Sequence, residues 1–117
     1  MPREPNPNFM AGVPELMILR LLQQREMYGY ELVQAIRVQT RDVVSFGEGV
    51  AYTVLHALER EGALKSRRMK VDGRSRIYYG VTAKGLKRYH MLAGDWTTLA
   101  EAIRSVIAGG ERGTAAP

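Results

Sequence analysis

The side-chain pattern of this chain changes period at residue 64 and changes back at residue 82. Before and after that window the apolar residues recur at helical spacing. Inside it, Leu64, Ser66 and Arg68 alternate with Lys65, Arg67 and Met69, and Ile77, Tyr79 and Val81 alternate with Arg76 and Tyr78. Asp72-Gly73 lies between the two runs and is a two-residue hairpin signal. The pattern predicts one two-stranded antiparallel ribbon set into an otherwise helical chain. A lone ribbon is marginally stable in water, so this one must lean on the helices. At 117 residues the chain has room for a single domain with one core.

Three helices are expected before the ribbon. Residues 1–12 are rich in Pro and Asn and are expected to form an irregular arm. Pro14 suits a first helical turn, where its missing amide costs nothing, and Glu15 complements the helix dipole. Leu16, Met17, Ile18, Leu19, Leu21 and Leu22 make this helix apolar on most sides, hence central and buried, ending near Gln24 or Arg25. A second helix begins near Tyr28, with Leu32, Val33 and Ile36 inward, and a polar joint follows around Thr40-Arg41-Asp42. Ser45 and Glu48 have capping-box spacing at the start of a third helix. Ala51, Val54, Leu55 and Leu58 form its apolar face, and Gly62 is its expected stop.

After the ribbon, Thr82 is a good cap for a fourth helix that is expected to reach about Ile107. Gly85 and Gly94 weaken it by roughly 1 kcal/mol each relative to alanine. Tyr89, Leu92, Trp96, Leu99, Ile103 and Val106 recur in steps of three and four, a heptad seam narrower than the stripe of a helix packing only into its own domain. This predicts a paired helix over 83–108. Gly109-Gly110 are expected to end it, with residues 109–117 as a disordered tail.

Charge is distributed as unevenly as period. Residues 60–88 carry ten basic and two acidic side chains, a net +8, while the rest of the chain carries −3. Charge concentrated in this way attracts a polyanion, and a nucleic-acid backbone is the polyanion that best suits it. The plain alternative is a solvated basic face. The absence of cysteine excludes disulfides, thiolate nucleophiles and cysteine-ligated metals, and fits a reducing compartment. No apolar run is long enough for a membrane span and the N-terminus lacks a secretion signal, so the expected location is the cytoplasm and no membrane contact is expected. No glycine-rich phosphate loop, no G-x-S-x-G and no cluster of carboxylates with histidines points to catalysis. Neither an enzyme nor a cofactor or metal site is expected.

Three helices followed by a basic hairpin is the order of a winged helix-turn-helix. The expected fold is therefore mainly α with a small antiparallel β-hairpin: a DNA-binding unit over 13–82, then the dimerisation helix. A helix about 10–12 Å wide fits a major groove about 12 Å wide, and a hairpin beside it lies over phosphate. Cations on that hairpin add affinity but carry little sequence information.

The residues also resemble those of PadR-type transcriptional regulators. Tyr28-Gly29-Tyr30-Glu31-Leu32 is similar to that family's YGYEL signature. The run from Glu48 to Gly62 resembles its recognition helix, and Gly73-Arg74-Ser75-Arg76-Ile77-Tyr78-Tyr79-Gly80-Val81-Thr82 resembles its wing. The resemblance covers roughly 13–107. Departures are Val50 in place of the usual Ser or Thr, Ala51 in place of a larger aliphatic residue, Thr53 in place of Pro, and Ile77 in place of Lys.

Candidate DNA contacts follow. Tyr52 reaches phosphate if the resemblance holds, Gly49 and Val50 start the reading helix, and Thr53 and His56 lie on its solvent side. Of Tyr28 and Tyr30, one is expected to pack inward and the other to reach the backbone. Lys65, Arg67, Lys70, Arg74 and Arg76 are the wing cations. Tyr89, Leu92, Trp96, Leu99, Ile103 and Val106 are the expected homodimer seam. The resemblance adds a small planar aromatic effector held near Trp96. Double-stranded DNA and a second copy of the chain are the expected partners. A regulator that represses from a palindromic operator is the favoured reading, and a winged-helix protein-interaction adaptor that does not bind DNA is the alternative.

Overall fold

The structure, a computed structural model, describes residues 12–112. The expected arm up to residue 11 and the tail from 113 lie outside the described residues. The elements run α1 (Val13–Leu21), α2 (Gly29–Gln39), α3 (Glu48–Arg60), β1 (Leu64–Val71), β2 (Arg74–Val81) and α4 (Ala83–Arg112). This is the expected order of a winged helix.

Helix α1 carries Pro14 in its first turn and buries Ile18, Leu19 and Leu21. It stops at Leu21, short of the expected 24–25, because the Gln23 and Gln24 amides turn back to the carbonyls of Arg20 and Leu21 in a tighter turn. Around it close Leu32, Ile36, Leu55, Leu58 and Tyr79, so the three helices and the base of the ribbon share one core.

The caps are local chemistry. Gly62 at φ +81° lets the Gly62 and Ala63 amides bond the carbonyls of Glu59 and Leu58, a Schellman closure of α3. Thr82 caps α4, its Oγ1 accepting from the Gly85 amide at 3.1 Å while donating to the Gly62 carbonyl at 2.6 Å. The Tyr28 amide donates to Glu31 Oε1 at 3.2 Å at the start of α2. The Ser45–Glu48 capping box does not form: the N-cap of α3 is Gly47, and no side chain bonds it. The joint before it takes another form. Arg41 and Asp42 both adopt positive φ, and Thr40 Oγ1 holds the turn by donating to the Ile36 carbonyl and accepting from the Val44 amide.

Strands β1 and β2 pair antiparallel from Leu64↔Val81 to Val71↔Arg74. Asp72 and Gly73 both have positive φ, as a type I′ hairpin turn requires. The ribbon leans on the helices through a third short partner that the alternation did not reveal: Met27, between α1 and α2, exchanges both backbone hydrogen bonds with Tyr79.

Helix α4 leaves the ribbon at Gly85, which is buried. A Cβ there would stand 2.2 Å from the Ala63 carbonyl oxygen, so glycine is what lets α4 start this close to the core. Gly94 has no such neighbour. The helix passes through Gly109 and Gly110 to Arg112, beyond the expected end. Glycine lowers helix propensity but keeps its amide, so the hydrogen-bond ladder can continue.

Candidate nucleic-acid interface

Helix α3 turns Ala51, Leu55 and Leu58 into the core. The opposite side carries Gly49, Thr53, His56 and Arg60, all exposed, with Val50 exposed on its flank. This is the expected solvent side, and Thr53 and His56 both lie on it. The Thr53 hydroxyl donates to the Gly49 carbonyl at 2.9 Å. Tyr52 is different. Its ring lies over Gly29, where a Cβ would come within 2.7 Å of Tyr52 Cζ. Tyr52 is thus half-buried and joins α3 to the first turn of α2.

The tyrosines of α2 divide otherwise than expected, since neither enters the core. Tyr28 is half-buried and meets Tyr78 of the wing edge-on, with ring centroids 5.3 Å apart. Tyr30 is half exposed and stacks on Tyr28 at 6.5 Å. The buried residue of that trio is Gly29.

Alternation sorts the wing cations onto two faces. One face carries Lys65 and Arg67 with Arg74, Arg76 and Tyr78; the other carries Arg68 and Lys70 above the buried pair Leu64 and Tyr79. Three of the cations have internal partners. Arg67 pairs with Glu26 at 2.7 Å. Arg76 donates to the Tyr28 hydroxyl at 2.8 Å. Arg68 donates to Ser75 Oγ at 3.2 Å. Only the first is charge neutralisation. Lys65, Lys70 and Arg74 are exposed and make no ion pair or side-chain hydrogen bond among the described residues.

Two pieces of this arrangement have no signature in the sequence. Glu26, far along the chain from Arg67, removes one expected phosphate ligand from full availability. Arg88 of α4 clasps Glu15 of α1 and, at 3.0 Å, Glu61 at the end of α3. The hydrogen bond that Arg88 donates to the Glu15 carboxylate holds its guanidinium more firmly charged than usual, against its partial burial. This clasp fixes the far end of α3 to two other helices.

The seam of α4 splits in two. Tyr89 and Leu92 pack against the core of their own domain. Trp96, Leu99, Ile103 and Val106 are exposed by 49%, 54%, 50% and 78%, so the distal half of the seam is uncovered. A groove of about 310 Å³ opens beside Trp96, with Leu16, Met17, Ile36 and Tyr89 along it. Among the described residues no helix is long and apolar enough to cross a membrane, and no group of three His, Asp or Glu side chains could hold a metal ion.

Known proteins share this fold. The transcriptional regulator PadR-like family matches residues 18–91, from α1 into α4. The transcriptional regulator Rv3488 of Mycobacterium tuberculosis is 34% identical over 101 residues, which is 86% of this chain and 89% of that one. A transcriptional regulator from Clostridium thermocellum superposes with a TM-score of 0.77 at 28% identity, covering 84% of this chain and 96% of its own. The PadR-like regulator BC4206 of Bacillus cereus superposes at 0.73 with 27% identity, covering 86% and 96%. The fold, the basic wing and these likenesses agree. The chain belongs to the PadR-like family of transcriptional regulators, which are not enzymes.

Proposed function

We propose that this chain is a cytoplasmic repressor that binds a palindromic operator in double-stranded DNA as a homodimer. Helix α3 enters the major groove and the wing lies along the flanking backbone. Lys65, Lys70 and Arg74 supply the main phosphate contacts, because they are the exposed wing cations without a side-chain partner among the described residues. Arg67 and Arg76 contribute less, since each has an internal engagement. Tyr30 and Tyr52 are further candidates for contact with the DNA backbone.

The exposed row Trp96, Leu99, Ile103 and Val106 supports pairing through α4. A twofold dimer then sets two half-sites about one helical turn apart, or a multiple of it. The groove beside Trp96 suits a flat aromatic effector, which releases DNA if it binds the non-binding dimer state better.

The single observation that carries this reading is the group of free wing cations beside an uncovered, groove-sized helix. A gel shift with the DNA upstream of the protein's own gene tests it: a retarded, salt-sensitive band supports it, and no band at low salt refutes it.

A further inference from the structure

The first two turns of the outward strip of α3 are short of side-chain hydrogen-bond donors. Thr53 lies in the middle of it, and its hydroxyl proton is committed to the Gly49 carbonyl. A hydroxyl used in this way can still accept, but it has no proton left for guanine, thymine or phosphate. Toward thymine, whose groove edge carries an acceptor and a methyl but no donor, what Thr53 can still offer is its methyl group. Val50, in the first turn of α3, is a β-branched side chain left 46% exposed. Beside Thr53 on this strip, Gly49 adds no bulk: a Cβ there would meet nothing within 4 Å, so a base edge can approach the backbone closely. The major groove offers one apolar feature, the C5 methyl of thymine.

We propose that Val50 and Thr53 are specificity-determining residues that read thymine through its methyl group. The inference rests on the DNA-binding reading given above. It assigns the donor work of sequence reading on this helix to His56 and Arg60, and makes methyl contact the reading mode of its first two turns.

The test begins with selection of a preferred duplex from a random pool by the full chain. Each thymine of that duplex is then replaced by deoxyuridine, which lacks only the methyl. Loss of affinity by about fourfold at one or two positions of each half-site is expected, the effect of burying one methyl-sized group. In Val50→Ala or Thr53→Ser, one of those positions should become indifferent to the replacement. Thr53→Val should keep wild-type preference, because it retains the methyl and loses only the committed hydroxyl. A selected duplex that binds equally well with deoxyuridine throughout overturns the inference alone, as does a Thr53→Val variant that loses preference as Thr53→Ser does. Failure to retain any duplex overturns the DNA-binding reading and this inference with it.

Discussion

The Arg76 guanidinium donates to the Tyr28 hydroxyl at 2.8 Å and lies 4.4 Å from the centroid of the same ring. One wing cation therefore serves the fold before it serves any ligand. It ties β2 to the start of α2, across a long stretch of sequence, while keeping its charge. Tyr28→Phe should keep the ring contact and lose the hydrogen bond. The bond is partly solvated, so the expected loss is about 1 kcal/mol of unfolding free energy. Urea unfolding of the two chains measures it.

Gly85 and Gly94 should respond in opposite directions to the same change. Gly85→Ala drives a Cβ into the Ala63 carbonyl. It should destabilise the chain by about 1–3 kcal/mol. Gly94→Ala adds a methyl in open space on the same helix. It should stabilise by about 0.5–1 kcal/mol. Thermal unfolding of both variants reports the two signs together.

That contrast shows where sequence reasoning reaches its limit. Asp72-Gly73, Gly62 and Thr82 were legible because each does its work within a few residues, through backbone conformation or a nearby amide. The periods of α2, α3 and the ribbon were legible because each buries one face. Gly85 read only as a weak helix former, since its reason is a carbonyl from another element. Arg67 and Arg76 read as free cations for the same cause: Glu26 and Tyr28 come near them only once the fold closes. The seam of α4 read as continuous because periodicity does not tell which neighbour covers a side chain. Tyr89 and Leu92 meet their own core, and Trp96 onward does not.

The exposed half of that seam predicts an assembly. Leu99→Asp places a charge in the middle of Trp96, Ile103 and Val106, where pairing would bury it. A dimer formed through this face should dissociate, with its dissociation constant raised about a hundredfold or more. Leu99 is 54% exposed, so the single chain should fold unchanged. Light scattering with circular dichroism reads both properties, and a variant that remains dimeric moves the interface elsewhere.

Tyr79 gives a pH dependence. Burial, then the nearby Glu59 carboxylate, push its phenol above the ordinary tyrosine value of 10.0. The folded chain therefore holds this proton more tightly than the unfolded chain. The stabilising effect is complete below the unfolded value, declines once pH rises above about 10, and is lost through the folded value. Wild-type stability should fall faster than that of Tyr79→Phe as pH rises above 10.0. Parallel denaturation curves across that rise would show a constant difference if Tyr79 does not titrate in this way.

The most direct measurement is the dependence of duplex binding on salt for the full chain and for the variant with Lys65, Lys70 and Arg74 all changed to Ala. Each phosphate contact removed should make the negative slope of log K against log salt shallower by about 0.9. Arg67→Ala, whose guanidinium is already paired, serves as the comparison and should change the slope less than any one of the three. A triple variant with the wild-type slope, or a wild-type chain whose binding ignores salt, would contradict the assignment of this wing to the DNA backbone.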